Sequence, residues 1–137
     1  MKLTTKSEYG LLALIDLAGY YGKNLVKAQD IAKRKKIPIK YLEQLLIILN
    51  RAGYVQSTRG IMGGYRLAKA PDKICLAEII RLMDGALAPV SSASKYFYSH
   101  TPVEQCQPLL RVFKDIRDYI AEKLEKTTLA DLLGKKI

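Results

Sequence analysis

The sequence predicts a mainly α-helical fold with one small β-hairpin. Apolar residues recur at three- and four-residue intervals over much of the 137-residue chain, which is the spacing of amphipathic helices. This pattern changes after Gly53 to short segments separated by glycines, which indicates two strands joined by a turn. Helical spacing then returns and continues through the last third of the chain, so the hairpin lies between two helical parts.

Three helices are predicted before the hairpin. The first runs from Ser7 to Tyr20, and a second, short one runs from Val26 to Lys35. Pro38 is expected to begin the third helix, because the N–H that proline lacks would have no partner there. This helix should end near Gly53. Its inward stripe consists of Leu42, Leu45, Leu46 and Leu49, which leaves Lys40, Tyr41, Glu43, Gln44 and Arg51 at least partly exposed.

The hairpin completes a recognisable order of elements. Residues 54–57 and 65–67 are predicted as its two strands. Three helices followed by such a hairpin is the chain order of a winged helix-turn-helix, whose third helix enters the major groove of DNA. The hairpin is then the wing, which meets the backbone or the minor groove.

The tip of the hairpin combines glycines with a cation. Gly60, Gly63 and Gly64 permit positive φ and close approach of the backbone to a phosphate. The neighbouring Arg59 supplies a long cation for a groove. A plain tight hairpin would also need glycines, which keeps a purely structural role open. Because an arginine at the tip has no role in a core, we favour a DNA contact.

The charge distribution indicates a polyanionic partner. The chain carries 23 Lys and Arg against 13 Asp and Glu, a formal net charge of +10. Residues 1–70 hold 13 of the basic and 4 of the acidic residues, a net charge of +9, and the remainder is close to neutral. This asymmetry suggests that the N-terminal half contacts phosphates. The basic run at residues 33–36 is equally consistent with a solvated face.

Two further helical regions and a connecting loop are predicted in the C-terminal half. Apolar residues at 76–83 form a fourth helix that ends at Gly85. Small and turn-forming residues then indicate a loop. We therefore divide the chain into a winged helix-turn-helix domain at 1–86, a loop or linker at 87–100, and a dimerisation helix with a short C-terminal helix at 101–137.

The last helical region has an apolar stripe long enough to need a partner. A capping pattern at residues 101–104 indicates the start of a helix, and Pro108 is expected to kink or restart this helix. We expect a dimerisation helix, since a twofold dimer reads two half-sites; packing of the stripe on its own winged domain is the alternative. Residues 128–131 cap a short terminal helix. The stripe consists of Leu109, Phe113, Ile116, Ile120 and Leu124.

Several other classes of protein are disfavoured. The longest apolar run spans residues 45–49, whereas a membrane-spanning helix needs roughly 18 residues. The N-terminus lacks the apolar segment of a secretory signal, so we expect a cytoplasmic protein. Cys75 and Cys106 lack the neighbours of a zinc knuckle, so zinc is not predicted. An enzyme using Cys106 and His100 has no supporting motif.

Four motifs occur in order along nearly the whole chain. They are KLTTKSEYG at residues 2–10, YLEQL at 41–45, Arg59-Gly60 followed by Gly63-Gly64-Tyr65, and TTLADL at 127–132. Together they resemble the Rrf2 family of bacterial transcription regulators. The resemblance implies a homodimeric winged helix-turn-helix repressor or activator that binds a DNA operator. It also implies a long C-terminal helix that crosses its partner's, with a sensor loop just before it.

The resemblance further implies a set of DNA-facing residues. Glu43 would accept a hydrogen bond from a cytosine amino group, and Gln44 would pair with adenine. Pro38 stands where many relatives carry a small polar cap residue, so their operator sequence does not transfer. The set is Tyr9, Lys40, Tyr41, Glu43, Gln44, Arg59 and Gly60, to which our own reading adds Arg51, Gly63 and Gly64.

The residues available for a sensor differ from those of iron–sulfur relatives. Those relatives carry three cysteines in the loop before the long helix, and this chain has only Cys106 there. A cluster here would be completed by His100 and by Glu8 of the partner subunit. Such a site is poor in thiolate, so we expect no cofactor. Glu8 is also explained as a carboxylate at a helix N-terminus, and Cys75 as a small packed hydrophobe.

The signal and the function therefore have alternatives. Without a cluster, the signal would be a small molecule, a protein partner or oxidation of Cys106. The aromatic residues at 94–100 suit a ligand pocket, a partner's groove or contact with a dimer mate. The leading hypothesis is a dimeric, sequence-specific DNA-binding regulator, expected to repress. The alternatives are a protein-interaction module and a regulator with an unusual iron–sulfur or redox site.

Overall fold

A computed structural model describes residues 2–134 of the chain. It is mainly helical with one two-stranded antiparallel hairpin, which confirms the predicted fold class. None of the helices among these residues combines the length and apolarity that a membrane span requires. The helices are α1 (Thr5–Ala18), α2 (Ala28–Lys35), α3 (Ile39–Arg51), α4 (Leu76–Asp84), α5 (Gln107–Lys126) and α6 (Leu129–Leu132), and the strands are β1 (Val55–Thr58) and β2 (Gly64–Leu67).

The first two helices begin at residues other than those predicted. α1 begins two residues earlier, because the Thr4 hydroxyl accepts a hydrogen bond from the Ser7 N–H at 3.3 Å and caps the helix. α2 begins two residues later, since Val26 pairs with Tyr65 instead. The Val26 N–H donates to the Tyr65 carbonyl at 2.9 Å, and the Tyr65 N–H donates back at 2.7 Å. Val26 therefore extends the hairpin as a third, one-residue strand.

α3 packs as its leucine spacing predicts. Pro38 is the residue before the helix rather than its first residue, and its carbonyl accepts from the Leu42 N–H at 2.9 Å. The predicted inward stripe is buried and joins the main core with residues of α1, α2 and the hairpin. Packing of this stripe turns the polar side of α3 outward. The buried leucines are Leu42, Leu45, Leu46 and Leu49.

The segment 87–100 is packed in its first half rather than free. Ala88 and Ala93 are buried with Leu110 in a cluster that also receives Phe113. The Arg117 guanidinium donates to the Ala93 carbonyl at 2.9 Å, which fixes the segment to α5. Thus the segment, predicted as a loop or linker, is held by apolar and polar contacts to the long helix.

The long helix starts later than its capping pattern suggests. A 3₁₀ turn occupies Pro102–Gln105, and the Thr101 side chain makes no capping hydrogen bond there. The chain then restarts as α5 at Gln107, with Pro108 in the first turn. A proline is tolerated in a first turn but not inside a helix, which explains why the two segments do not form one helix.

The helix α6 packs into the core of the winged domain. The Thr128 hydroxyl accepts from the Asp131 N–H at 3.3 Å, and the Asp131 carboxylate accepts from the Thr128 N–H at 2.8 Å. This confirms the predicted cap of the terminal helix. Leu129 is fully buried in the main core, and its N–H donates to the Ile74 carbonyl at 3.0 Å. The short helix of the predicted dimerisation region thus packs on the winged domain.

A carboxylate at the end of α4 holds the N-terminus of α1. Asp84 accepts hydrogen bonds from the Thr4 N–H, at 3.1 Å, and from the Thr4 hydroxyl. Partial burial acts to raise the pKa of Asp84, but the hydrogen bonds from Thr4 outweigh burial and hold that pKa below its usual value. The folded state therefore favours the ionised carboxylate.

We expect Asp84→Asn to lower the free energy of unfolding by about 1 kcal/mol at neutral pH. A pKa that is lower in the folded state contributes stability above the unfolded pKa, and this contribution is lost as pH falls through the folded pKa. The difference between the two proteins should therefore shrink below about pH 4. Denaturant unfolding at several pH values measures it. Asp115→Asn, at an exposed carboxylate of α5, is the control; a constant difference for Asp84→Asn at every pH would contradict the assignment.

Candidate nucleic-acid interface

The outer face of α3 presents polar side chains to solvent. Burial of the leucine stripe leaves the opposite side of the helix free. Lys40, Glu43, Gln44 and Arg51 are all exposed there, as predicted. Lysine and arginine can contact phosphates, and glutamine and glutamate can hydrogen-bond to base edges in a major groove.

Two tyrosines of the predicted set join α1 to α3. Tyr9 and Tyr41 are half-buried and pack against the main core. Their rings meet edge to face, with centroids 5.6 Å apart and an angle of 73° between the planes. Such an arrangement is favourable for aromatic pairs. The pair fixes the start of α3 relative to α1, which positions the exposed side chains that follow Tyr41.

The wing, residues 55–67, is fastened to the helices at both ends. Val55 pairs with Leu67 and Thr58 with Gly64 in antiparallel register. The Asn50 side-chain amide donates to the Ser57 hydroxyl at 3.2 Å, which joins the wing to the end of α3. These contacts place the wing in a defined position relative to the exposed face of α3.

The wing tip is the most exposed part of the interface. Arg59 and Gly60 are exposed, as predicted, and Gly60 has a φ of +100°. The side chains that follow, Ile61 and Met62, are 89% and 88% exposed. Apolar side chains at such a position can enter a minor groove or a base step. Ile61 and Met62 were not predicted to contact DNA, although their place between the tip glycines was the available signal.

Two glycines of the predicted set shape the wing from inside. Gly63 is buried, and a Cβ built there would lie 2.1 Å from the Thr58 carbonyl oxygen. Gly64 has a φ of +153°, and its Cβ would lie 2.8 Å from the Val26 carbonyl oxygen. Both glycines therefore allow close backbone approach within the protein, and they also line the surface between α2, α3 and the wing, so a contact of Gly63 with DNA stays a prediction.

The start of α2 completes a concave surface with α3 and the wing. Lys27, Gln29, Glu43 and Arg59 line this surface together. The Lys27 ammonium donates to the Ile61 carbonyl at 2.8 Å, which ties the wing tip to α2. Lys27 and Gln29 were not predicted. Their signal was their place in the first turn of the second helix, where backbone N–H groups also favour a phosphate.

The basic run of α2 is partly used within the fold. Arg34 donates from Nε and Nη2 to the two carboxylate oxygens of Asp16, both at 2.9 Å. The Asp16 side chain is 5% exposed and the Arg34 side chain is 40% exposed, so the pair joins α1 to α2 at the edge of the core. The hydrogen bond to Asp16 raises the pKa of Arg34. Arg34 is therefore a structural cation, although it is exposed like Lys33 and Lys36.

α5 divides its apolar residues between two faces. Ile120 and Leu124 pack against Ala77, Ile80 and Leu87 of the same protomer, and Phe113 contacts the cluster beside the 87–100 segment. These three members of the predicted dimerisation stripe thus face their own protomer. The exposed stripe keeps the predicted Leu109 and Ile116 and gains Val112 and Tyr119; the exposed fractions are 43%, 40%, 51% and 75%.

The predicted sensor residues are not gathered into one site. Cys106 is exposed just before α5. The His100 Nδ1 lies 2.8 Å from a carboxylate oxygen of Glu104, whose other oxygen accepts from the Tyr98 hydroxyl at 2.6 Å. The hydrogen bond from Tyr98, followed by that from His100, lowers the pKa of Glu104.

No three His, Cys, Asp or Glu side chains within residues 2–134 come together as a metal site. An iron–sulfur cluster takes four protein ligands, mostly thiolates. Cys75, the other cysteine, lies before α4 with its N–H bonded to the Glu78 carboxylate at 3.2 Å. Cys106, His100 and Glu8 of one protomer therefore do not fit a cluster.

Comparisons with known proteins agree with this architecture. The family model of Rrf2, described as an iron-dependent transcriptional regulator, matches residues 3–135. The regulator IscR of Cereibacter sphaeroides is 43% identical over 139 residues, covering 100% of this chain and 90% of the relative. The regulator CymR of Bacillus subtilis is 38% identical over 133 residues, covering 96% and 89%.

A solved structure of CymR, the global cysteine regulator of B. subtilis, superposes on this chain with a TM-score of 0.78. The two share 35% sequence identity, over 100% of this chain and 99% of the other. The family match and these relatives describe helix-turn-helix transcriptional regulators and not enzymes. The chain therefore belongs to the Rrf2 family of transcriptional regulators.

Proposed function

We propose that this regulator is a homodimeric, sequence-specific DNA-binding repressor. The observation that carries the proposal is the concave surface on which the exposed face of α3, the start of α2 and the wing meet. α3 would enter the major groove and the wing tip would meet the backbone or minor groove. Because the partner is chromosomal DNA, we expect the protein in the cytoplasm.

The exposed stripe of α5 supports the homodimer. Leu109, Val112, Ile116 and Tyr119 follow spacings of three, four and three, which is the seam of two packed helices. A twofold axis through this seam would present two α3 helices to successive half-sites. Repression is the simplest outcome, since a bound dimer can occlude a promoter without any further contact.

The test of DNA binding compares Arg59→Ala and Gln44→Ala with the native protein. We expect Gln44→Ala to weaken binding by about tenfold and to relax the preference at one base pair, because a bidentate base contact contributes about 1–3 kcal/mol of discrimination. Arg59→Ala should weaken binding to all duplexes and make the salt dependence shallower. Fluorescence anisotropy on a duplex selected from a random library, at several salt concentrations, measures both.

The control for both variants is Lys114→Ala, which removes an exposed cation of α5. It should leave affinity and salt dependence close to native values, and none of the three substitutions should change the dimer. Unchanged affinity in both Arg59→Ala and Gln44→Ala would place the DNA surface elsewhere on the molecule.

We propose that regulation does not use an iron–sulfur cluster. Cys106 is exposed just before α5, and residues 2–134 offer no four-ligand site around it. Protein purified without oxygen should be colourless and should contain no stoichiometric iron or sulfide. Broad absorbance near roughly 320–420 nm with bound iron would overturn the proposal and direct mutagenesis to Cys106, His100 and Glu8.

A protein-interaction module is the second candidate. Tyr96, Phe97 and Tyr98 are 63%, 49% and 56% exposed on one short segment, and exposed aromatic side chains are common at binding surfaces. This candidate predicts little preference for any duplex at physiological salt. Recovery of a defined duplex from the random library would decide in favour of the DNA-binding regulator.

A further inference from the structure

A cavity of about 210 Å³ lies between α4, α5 and residues 94–100, the aromatic segment. At roughly 30 Å³ per water molecule, it has the volume of about seven waters, which suits a small metabolite. Leu87, Phe97 and Ala121 give the cavity an apolar part. The DNA-binding surface and the exposed stripe of α5 do not include these residues.

The charged groups of the cavity are arranged on two walls. Arg81 of α4 and Lys95 of the aromatic segment supply cations on one wall. α5 supplies the carboxylates of Asp118, Glu122 and Glu125 on the other. On the same helix, Arg117 pairs with Asp118 and Lys126 pairs with Glu122, so Glu125 is the carboxylate that faces Arg81. A ligand that carries one charge of each sign is complementary to Glu125 and to the two cations of the first wall, whereas a simple anion would meet Glu125 and a simple cation would meet Arg81 and Lys95.

One ion pair crosses the cavity from wall to wall. The Arg81 guanidinium lies 2.7 Å from a Glu125 carboxylate oxygen and 5.2 Å from the centre of the Tyr96 ring. The Lys95 ammonium lies 5.5 Å from the same ring, and no carboxylate within residues 2–134 forms an ion pair with it. Because a partly exposed ion pair contributes little net stability, a ligand bearing both charges can replace the Arg81–Glu125 contact.

We propose that this cavity binds a small zwitterion of the α-amino acid class. The ligand carboxylate would bind Arg81 and Lys95, and the ligand ammonium would bind Glu125. An apolar side chain would lie against Leu87 and Phe97. The carboxylate and ammonium of an amino acid are separated by one carbon, which is short enough to insert between two groups that already contact each other.

The place of the cavity connects this ligand with the proposed function. α4 packs on α1 of the DNA-binding domain, and α5 carries the exposed stripe. Glu125 lies nine residues after Ile116, about 180° around the helix at 3.6 residues per turn, so it faces away from a dimer formed through the stripe. Occupancy would alter the α4–α5 contact, and this consequence rests on the proposed DNA-binding function.

The binding test uses the full-length protein without DNA. Its thermal unfolding midpoint is measured with each standard L-amino acid in turn, and the one with the largest increase is titrated by calorimetry. The matching amine, which lacks the carboxylate, and the matching carboxylic acid, which lacks the ammonium, are titrated in parallel. We expect one or a few amino acids to bind and each analogue to bind at least about tenfold more weakly, since each loses a charge-assisted contact.

Variants then locate the site. Arg81→Gln should weaken binding of the amino acid by about tenfold or more. Lys95→Gln, a substitution in the exposed segment, should also weaken binding, and it provides the test if Arg81→Gln does not fold. Arg111→Gln removes an exposed cation of α5 outside the cavity and should bind normally.

Three results would overturn the proposal. They are no amino acid that binds, a carboxylic acid that binds as tightly as its amino acid, and normal binding by both cavity variants. Operator affinity, measured separately, distinguishes this failure from failure of the proposed DNA-binding function, because either measurement can succeed without the other.

Discussion

Ile116→Asp is expected to convert the dimer into a monomer and to remove operator binding at concentrations where the native protein is bound. Ile116 is 40% exposed within the protomer, so an aspartate there leaves the fold intact. In a twofold dimer both copies of the carboxylate would be buried in an apolar seam, at a cost of about 3–5 kcal/mol for an uncompensated charge. Sedimentation velocity measures the dimer, and anisotropy measures the DNA complex.

Two variants on the same helix separate loss of the dimer from loss of the fold. Phe113→Asp places a charge in the cluster formed with Ala88 and Ala93, so it should lower the unfolding midpoint of the protomer itself. Arg111→Asp, at an exposed position on another side of α5, should remain dimeric. A dimer that survives Ile116→Asp would place the interface away from the exposed stripe.

Gly63→Ala is expected to weaken operator binding by about a hundredfold while the dimer stays intact. The added Cβ would lie 2.1 Å from the Thr58 carbonyl oxygen and 2.9 Å from the Gly60 carbonyl oxygen. Both neighbours are backbone atoms, so the wing must change its path and Arg59 must move with it. Loss of the wing contacts would amount to about 2.7 kcal/mol at that fold-change. Anisotropy on the selected duplex gives the affinity.

Gly60→Ala is the comparison for this effect. Gly60 has a φ of +100°, but its Cβ would meet open space, so only backbone strain of about 1 kcal/mol is expected. Its loss of affinity should therefore be smaller than that of Gly63→Ala. Native affinity in Gly63→Ala would show that the conformation of the wing is unimportant for DNA binding.

Local spacing was sufficient to predict α3 and its surface. Leu42, Leu45 and Leu49 follow the helical repeat, and the opposite side is polar apart from Ile47, so the exposed side follows directly. Val26 shows the opposite case. Its strand pairing with Tyr65 joins residues far apart in the sequence, and the residues next to Val26 in the sequence do not indicate that contact.

The stripe of α5 was only partly predictable for a different reason. Its apolar residues cover a wide arc, and one edge of that arc packs on the protomer while the other is exposed. Periodicity identifies the arc but does not show which edge is buried and which is exposed, because both edges consist of the same types of residue. Likewise, the ion pair of Arg81 with Glu125 joins two helices through tertiary packing, so the cavity had no signal in the sequence.

The burial of Leu129 has a consequence for how the protein is made. The main core of the DNA-binding domain includes this residue of the last helix, which a ribosome synthesises after the entire long helix. A nascent chain that stops before α6 leaves the site beside Ile74 open, so we expect the DNA-binding domain to reach its full stability only after α6 has been synthesised. Chains that stop before α6 would then compete poorly for the operator, because their DNA-binding domain lacks part of its core.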